Sequence, residues 1–324
     1  MNARRLKGFL VAASALLVFA ACGTKETKET TASKPATEDK KEAMSLSFGA
    51  MPAVDSLPLY IAEKEGFFKD EGLSLDLQAF KSPKDRDAAL TSGHLDGANS
   101  DLIAVSTYYQ GDLPFKVTSQ STGTFSILTN NPDIATLADL KDKTAGYAKN
   151  QAPYYFLDKA LQTEGLKVSD VGFQEVPQIP VRLELVSNNK IDATVLPEPF
   201  RTIGLAHGLK ELGNSNDLDI QSTVFGFTQD TIDNNRDAVD AFYRAYNKGV
   251  DYLNTHELDD YYDVLVEKIG FSEEIKDQVT LPEYKHAEQV ASNQLTDAFE
   301  WSTSEGILSK EWKEEDILSD VLSK

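Results

Sequence analysis

The sequence holds one cysteine in 324 residues, Cys22, so no disulfide can close within the chain and no multi-cysteine zinc or iron–sulfur site can be built. Basic residues are scarce: 32 Lys and Arg stand against 52 Asp and Glu, for a formal charge of −20, and no basic run is longer than a pair. Nucleic acids are held by basic stripes, so that class of partner is excluded. Histidine occurs only at His94, His207, His256 and His286, and no G-x-S-x-G, H-E-x-x-H, C-x-x-C or P-loop pattern is present. Hydrolase, metalloprotease, thiol-redox and ATPase chemistry are therefore without their signatures, and neither a metal nor a cofactor is expected. What remains is globular, 41% hydrophobic and 26% charged, with a length that suggests two folding units. A chain of this size buries about 75% of the surface its unfolded form exposes, enough to hold together without staples.

The only long apolar run lies at the N-terminus. Arg4, Arg5 and Lys7 precede thirteen residues, Phe9 to Ala21, that are apolar except for Ser14. A helix of that length reaches about 20 Å, short of a hydrocarbon core of about 30 Å, so residues 1–21 read as a signal peptide with a small-residue cleavage site. Val18-Phe19-Ala20-Ala21-Cys22 resembles the lipobox of bacterial lipoproteins, which implies acylation of Cys22, a palmitate-type anchor, and a place on the outer face of the cell membrane. Residues 23–43 contain no aromatic or branched aliphatic side chain and balance five Lys with five acids. Such a segment cannot offset its ordering entropy by burial and reads as a tether of roughly 25 Å reach. Loss of Arg4, Arg5 and Lys7 with the signal takes the formal charge from −20 to −23, a body not drawn to anionic lipid.

From Met44 strand and helix patterns alternate. Leu46 and Phe48 mark a strand, and Asp55-Ser56-Leu57-Pro58 opens a helix that Gly66 ends. Leu73, Leu75 and Leu77 alternate with polar residues as in a half-buried strand, and Ser82-Pro83 starts the next helix. This rhythm predicts a mostly parallel sheet covered by helices. Ser92-Gly93-His94-Leu95-Asp96-Gly97-Ala98 is echoed 96 residues later by Asn188-Asn189-Lys190-Ile191-Asp192-Ala193-Thr194, as two lobes built alike would give. Residues 237–324 show helical segments at Ala238 to Thr255, Tyr261 to Ile269 and Leu295 to Gly306, expected to return onto the first lobe.

The ordered set Asp55-x-x-Pro58-x-Tyr60-x-Ala62, Gly66-Phe67-Phe68-x-x-x-Gly72-Leu73, Gly93-x-Leu95-Asp96, Leu137-x-Asp139-Leu140-Lys141-x-Lys143, Ile191-Asp192-Ala193 and Pro197-Glu198-Pro199 resembles the solute-binding lipoproteins of ABC importers. Within these it is similar to the group that takes nitrate, sulfonates, taurine and thiamine precursors. The resemblance spans about residues 44 to 310. It implies an α/β, two-lobed periplasmic-binding-protein-like fold of type II, with lobe 1 at 44–127 and 225–324, lobe 2 at 128–224, and crossings near Ser126 and Phe225. It also implies a monomer that captures a small solute and delivers it to a permease and ATPase carried by other chains.

In open α/β sheets ligands lie beyond the carboxyl ends of the strands. That rule gathers six loops around one cleft: residues 50–56, 99–101 and 119–124 from lobe 1, and 147–154, 176–180 and 196–200 from lobe 2. The candidates they offer are Asp55, Asn99, Ser100, Ser121 and Gly123, then Tyr147, Asn150, Gln151, Tyr154, Gln178 and Glu198, with Phe225 at the second crossing. Each has a plainer alternative. Asp55 and Asp101 can cap helices, Tyr147 and Tyr154 can be packing residues instead of stacking walls, and Glu198 can be a solvated acid at a helix start. Asp55, Asp101, Glu175 and Glu198 oppose only Lys149 and Arg201 in these loops. That balance favours a neutral or amine-bearing ring of the aminopyrimidine type over a sulfonate or nitrate. A pyrimidine synthase of this fold relies on a histidine and a cysteine-rich segment, and this sequence lacks the latter, so a binding protein is expected, not an enzyme. A surface sensor or adhesin is the alternative that the lipobox also suits.

Overall fold

Two five-stranded sheets carry the fold in a computed structural model that describes residues 44–322. The expected signal peptide, Cys22 and the tether lie outside the described residues. The first part of lobe 1 runs through β1 (Met44–Ala50), α1 (Leu57–Lys64), α2 (Phe67–Asp70), β2 (Leu73–Ala79), α3 (Pro83–Thr91), β3 (Gly97–Asp101), α4 (Leu102–Gln110) and β4 (Phe115–Gln120). Lobe 2 follows with β5 (Phe125–Thr129), β6 (Thr144–Tyr147), α5 (Ala152–Gln162), β7 (Gly172–Glu175), α6 (Ile179–Ser187), β8 (Ala193–Pro197), α7 (Phe200–Ala206) and β9 (Lys210–Asn214). The chain then returns as β10 (Thr223–Thr228), α8 (Gln229–Asn234), α9 (Arg236–Thr255), α10 (Leu258–Val264), α11 (Ser292–Ser304) and α12 (Glu314–Ile317).

The sheet orders are β2-β1-β3-β10-β4 and β7-β6-β8-β5-β9, the same pattern twice. In each, the strand that enters from the other lobe, β10 or β5, runs antiparallel to both neighbours. The crossings fall between Gln120 and Phe125 and between Asn214 and Thr223, a few residues earlier than the expected 127/128 and 224/225 boundaries. The reason is register: Phe125 already pairs with Pro197 in the second sheet, and Thr223 already pairs with Asp101 in the first.

The 96-residue echo has a structural cause. Asp96 accepts from the Ser47 amide at 2.7 Å while its own amide donates to Ser47 O at 2.9 Å, locking β3 to β1. Asp192 does the same to Thr144, at 2.9 Å in each direction, locking β8 to β6. A short carboxylate that reaches a neighbouring strand's amide stabilises the parallel register where each lobe begins its second half.

Lobe 1 is organised around Phe48, fully buried, whose ring lies 4.8 Å from Phe242, 5.4 Å from Phe227 and 5.8 Å from Phe225. Full burial of each such side chain contributes about 1.5–3 kcal/mol. Helix α11 packs on α4, as expected of a return onto lobe 1, but also reaches lobe 2: Trp301 Nε1 donates to Asp158 at 2.8 Å and Tyr154 donates to Glu305. Helix α9 lies across α1 at Gly249, where a Cβ would come within 2.2 Å of Pro58 O. Alanine is the better helix former by about 1 kcal/mol, yet there is no room for its methyl against backbone. Gly249→Ala is expected to lower stability by about 1–3 kcal/mol in urea unfolding; an unchanged or higher midpoint would contradict the packing of α9 on α1.

Candidate functional site

The two lobes are closed on each other over a small cavity of about 50 Å³. Five of the six expected loops reach it: Met51, Ala53 and Asp55, then Asn99, Ser100 and Asp101 from lobe 1, and Gln151 and Pro153, Ile179, and Pro197 from lobe 2. Helices α3 and α6 add Arg86 and Arg182, and the crossing strands add Phe125 and Thr223. Apolar packing flanks the cavity, for Met51 and Ala53 of lobe 1 join one cluster with Ile179 and Leu196 of lobe 2.

Asp55 does not cap α1, whose N-terminus has no side-chain cap. Its Oδ2 instead accepts from Asn99 Nδ2 at 2.7 Å and Ser121 Oγ at 3.2 Å, while Oδ1 is buried without a partner. Burial pushes the Asp55 carboxyl up, and the Asn99 and Ser121 hydrogen bonds oppose that shift. Asp101 takes the capping role, accepting from the amides of Ile103 and Ala104 at 3.0 and 2.9 Å. Gln151 crosses from lobe 2, its Nε2 donating to Asp87 at 3.0 Å, and its Oε1 is a second buried acceptor without a donor. Arg182, 1% exposed, donates Nη1 to Val195 O at 2.9 Å, and its Nε has no partner. The cavity residues thus carry two unmatched acceptors and one unmatched donor, supplied by both lobes. Leaving such groups unpaired costs about 1–3 kcal/mol each, more where charged.

Of the expected site residues the structure brings Asp55, Asn99, Ser100 and Gln151 to the cavity, with Ser121 behind Asp55. The others lie elsewhere. Gly123 sits at the first crossing, its amide on Thr223 Oγ1 at 2.9 Å and no room for a Cβ. Tyr147 and Tyr154 stack at 5.5 Å, not on the cavity but in a separate open depression with Lys149, Phe173 and Glu305. Asn150 stands half-buried in left-handed backbone, and Gln178 is exposed at the start of α6. Glu198 is held at the start of α7 by the Thr202 amide at 3.0 Å and by Arg201 at 3.2 Å. Phe225 belongs to the lobe 1 core, because alternation along β10 turns it to the Phe48 side.

The charge balance expected from the loops also changes. Glu175 is exposed and Glu198 lines a different depression, whereas Arg86 and Arg182, missed because they lie within helices, face the cavity. A signal for them was available: they are 96 residues apart, at matching places in the two repeats. Two acids, Asp55 and Asp101, therefore stand opposite two arginines, and the argument against an anionic solute loses its basis.

Two lobes of matched topology with a cavity between them define the periplasmic-binding-protein fold. Over residues 53–257 the chain matches the NMT1/THI5-like family, and it belongs to that family. It is 23% identical over 267 residues to YtlA of Bacillus subtilis, described no further than as a suspected binding protein, covering 78% of this chain and 79% of YtlA. Among solved structures it is similar to the periplasmic nitrate-binding protein NrtA of Synechocystis PCC 6803, with a TM-score of 0.72 and 17% identity over 87% of this chain and 88% of that one. It is likewise similar to the periplasmic aliphatic sulphonate-binding protein SsuA of Escherichia coli, with a TM-score of 0.71 and 16% identity over 85% and 92% of the two chains. The desulfurization enzyme DSZB shares the fold as well, at a TM-score of 0.63 and 12% identity over 86% and 98%, so the fold alone does not separate binding from catalysis.

Burial pushes Asp101 up from 3.8 to about 6, with Arg86 opposing the shift. Between about pH 4 and 6 the folded state therefore keeps a proton that the unfolded chain has released, and this group's contribution to stability falls as pH rises through that window. Asp101→Asn preserves an N-cap without titrating. Its stability relative to the parent is expected to improve by roughly 1–3 kcal/mol on going from pH 4 to pH 7 in urea unfolding. An equal difference at the two pH values would count against Asp101 being buried as described.

Proposed function

We propose that this chain is the solute-binding component of an ABC importer, tethered outside the cell membrane through Cys22, and that it closes its two lobes on a small solute. The observation that carries this reading is the set of unmatched buried polar atoms on Asp55, Gln151 and Arg182, drawn from both lobes around one cavity. Groups of that kind are costly in a structural core and useful in a binding cleft. A solute that satisfies atoms of both lobes binds the closed form more tightly than the open one and shifts the population accordingly.

On hydrogen bonding alone, an aminopyrimidine fits the three unmatched atoms. Its amine would donate to Asp55 Oδ1 or Gln151 Oε1, and a ring nitrogen would accept from Arg182 Nε. A nitrate or sulfonate, the solutes named for the two structural neighbours, would accept from Arg182 but leave both acceptors unmatched. The cavity of about 50 Å³ is well below the roughly 300–1,000 Å³ of common ligand sites, so the lobes must part to admit any ring. Against catalysis, all four histidines are exposed and none lines the cavity.

Two measurements test the proposal. Small-angle scattering on the purified protein is expected to show smaller dimensions when the co-purifying compound, identified by mass spectrometry, is restored after its removal; identical dimensions with a tightly bound compound would argue against closure. Cys22→Ser is expected to move the protein from the membrane fraction to the medium or periplasm, whereas unchanged membrane retention would remove the lipid anchor from the account. Among the described residues no helix is long and apolar enough to cross a membrane.

A further inference from the structure

The two cavity arginines occupy matching places in the repeated units, yet only one is neutralised. Arg86 is paired with its neighbour Asp87, which accepts from Nε at 2.9 Å and from Nη2 at 2.6 Å. The place of Asp87 in the second repeat is taken by Leu183. Among the described residues Arg86, Arg201, Arg236 and Arg244 each have a carboxylate within ion-pair distance, and Arg182 has none. Among the described residues its one other partner beyond the Val195 carbonyl is Pro177 O, at 3.4 Å from Nη2, and Nε is buried without a partner. Burial without a counter-charge pulls Arg182 down to about 10, with the more distant Glu175 opposing the shift, so it is still a cation at neutral pH.

Asp55 is the opposite case on the facing lobe. It is 4% exposed and, among the described residues, takes side-chain hydrogen bonds only at Oδ2 and forms no ion pair with lysine or arginine. Asp55 and Arg182 line one cavity but are not paired with each other. Arg182 is a buried cation with no counter-charge, and burial disfavours ionisation of the facing Asp55; a bound molecule carrying an oxyanion and an ammonium group would offset the first cost and stabilise Asp55 as a carboxylate. The Nε edge of a guanidinium matches a planar oxyanion such as a carboxylate.

We infer that the solute is amphoteric and small, with a carboxylate-like oxyanion that pairs with Arg182 of lobe 2 and an amino group that pairs with Asp55 of lobe 1. This deepens the importer reading and rests on it. A neutral aminopyrimidine meets the hydrogen-bond pattern but leaves Arg182 uncompensated; an amine-bearing acid meets both. Because the two charges sit on different lobes, a molecule with both groups ties the lobes together, and a molecule with one does not.

The test is calorimetry on the purified protein with four probes: 3-aminopropanoate, which has both groups, propanoate and propylammonium, which have one each, and neutral 4-aminopyrimidine. The inference expects 3-aminopropanoate to bind at least tenfold more tightly than any of the other three. Arg182→Met should remove that preference, and Arg182→Lys, which keeps the charge, should retain part of it. Circular dichroism is run on both variants, and Arg182→Lys decides the matter should Arg182→Met fail to fold. Tighter binding of 4-aminopyrimidine, equal in the parent and in Arg182→Met, overturns the inference and leaves the importer reading standing. If no probe binds the parent, the inference also falls, and the importer reading is then judged by loss of uptake on deletion of the gene.

Discussion

The constraint on which this structure turns is that two lobes meet over polar groups neither of them satisfies. Buried donors and acceptors are almost always paired in folded proteins. Here Asp55 Oδ1, Gln151 Oε1 and Arg182 Nε are not, and all three residues border one cavity. The surrounding fold is arranged to hold them in that condition. The Asn99 and Ser121 hydrogen bonds fix one oxygen of Asp55, the Val195 carbonyl anchors one end of Arg182, and the Asp87 bridge fixes Gln151 from the opposite lobe. Each side chain is thus oriented by the protein and left with one atom free.

The two-sheet architecture explains how such groups come to face each other. Each lobe repeats the same strand order, and in each the Asp of the repeated segment locks a strand to its parallel neighbour. Helices α3 and α6 then leave corresponding sheet positions and carry their arginines to the gap. The symmetry is broken where chemistry differs: Asp87 neutralises Arg86 and also receives the interlobe bond from Gln151, whereas Leu183 leaves Arg182 without a counter-ion. One arginine is therefore tied into the closed geometry, and the other is buried with no carboxylate partner among the described residues.

Much of the fold was legible in the sequence because short-range rules govern it. Ser82 caps α3 through the Asp85 amide at 3.2 Å, and Gly66 and Gly93 take left-handed backbone at helix ends. The 96-residue echo marked the two repeats. The site was less legible. Loop position brought Asp55, Asn99, Ser100 and Gln151 to the cavity, but loop position could not tell which way a side chain turns. Phe225 is taken by the core because β10 alternates, and Tyr147 and Tyr154 stack on each other away from the cleft. Arg86 and Arg182 were invisible to a count of loop charges, since they project from helices. The crossings were displaced for a related reason: Phe125 and Thr223 pair with strands distant in sequence, and those partners decide which sheet each residue joins.

The central claim, that one solute bridges the lobes at these unmatched atoms, is tested most directly by a crystal structure of the protein with the compound that it carries when purified. The account predicts density in the cavity within hydrogen-bond distance of Asp55 on one lobe and Arg182 on the other. Density confined to the Tyr147 and Phe173 depression, or touching one lobe only, would contradict it.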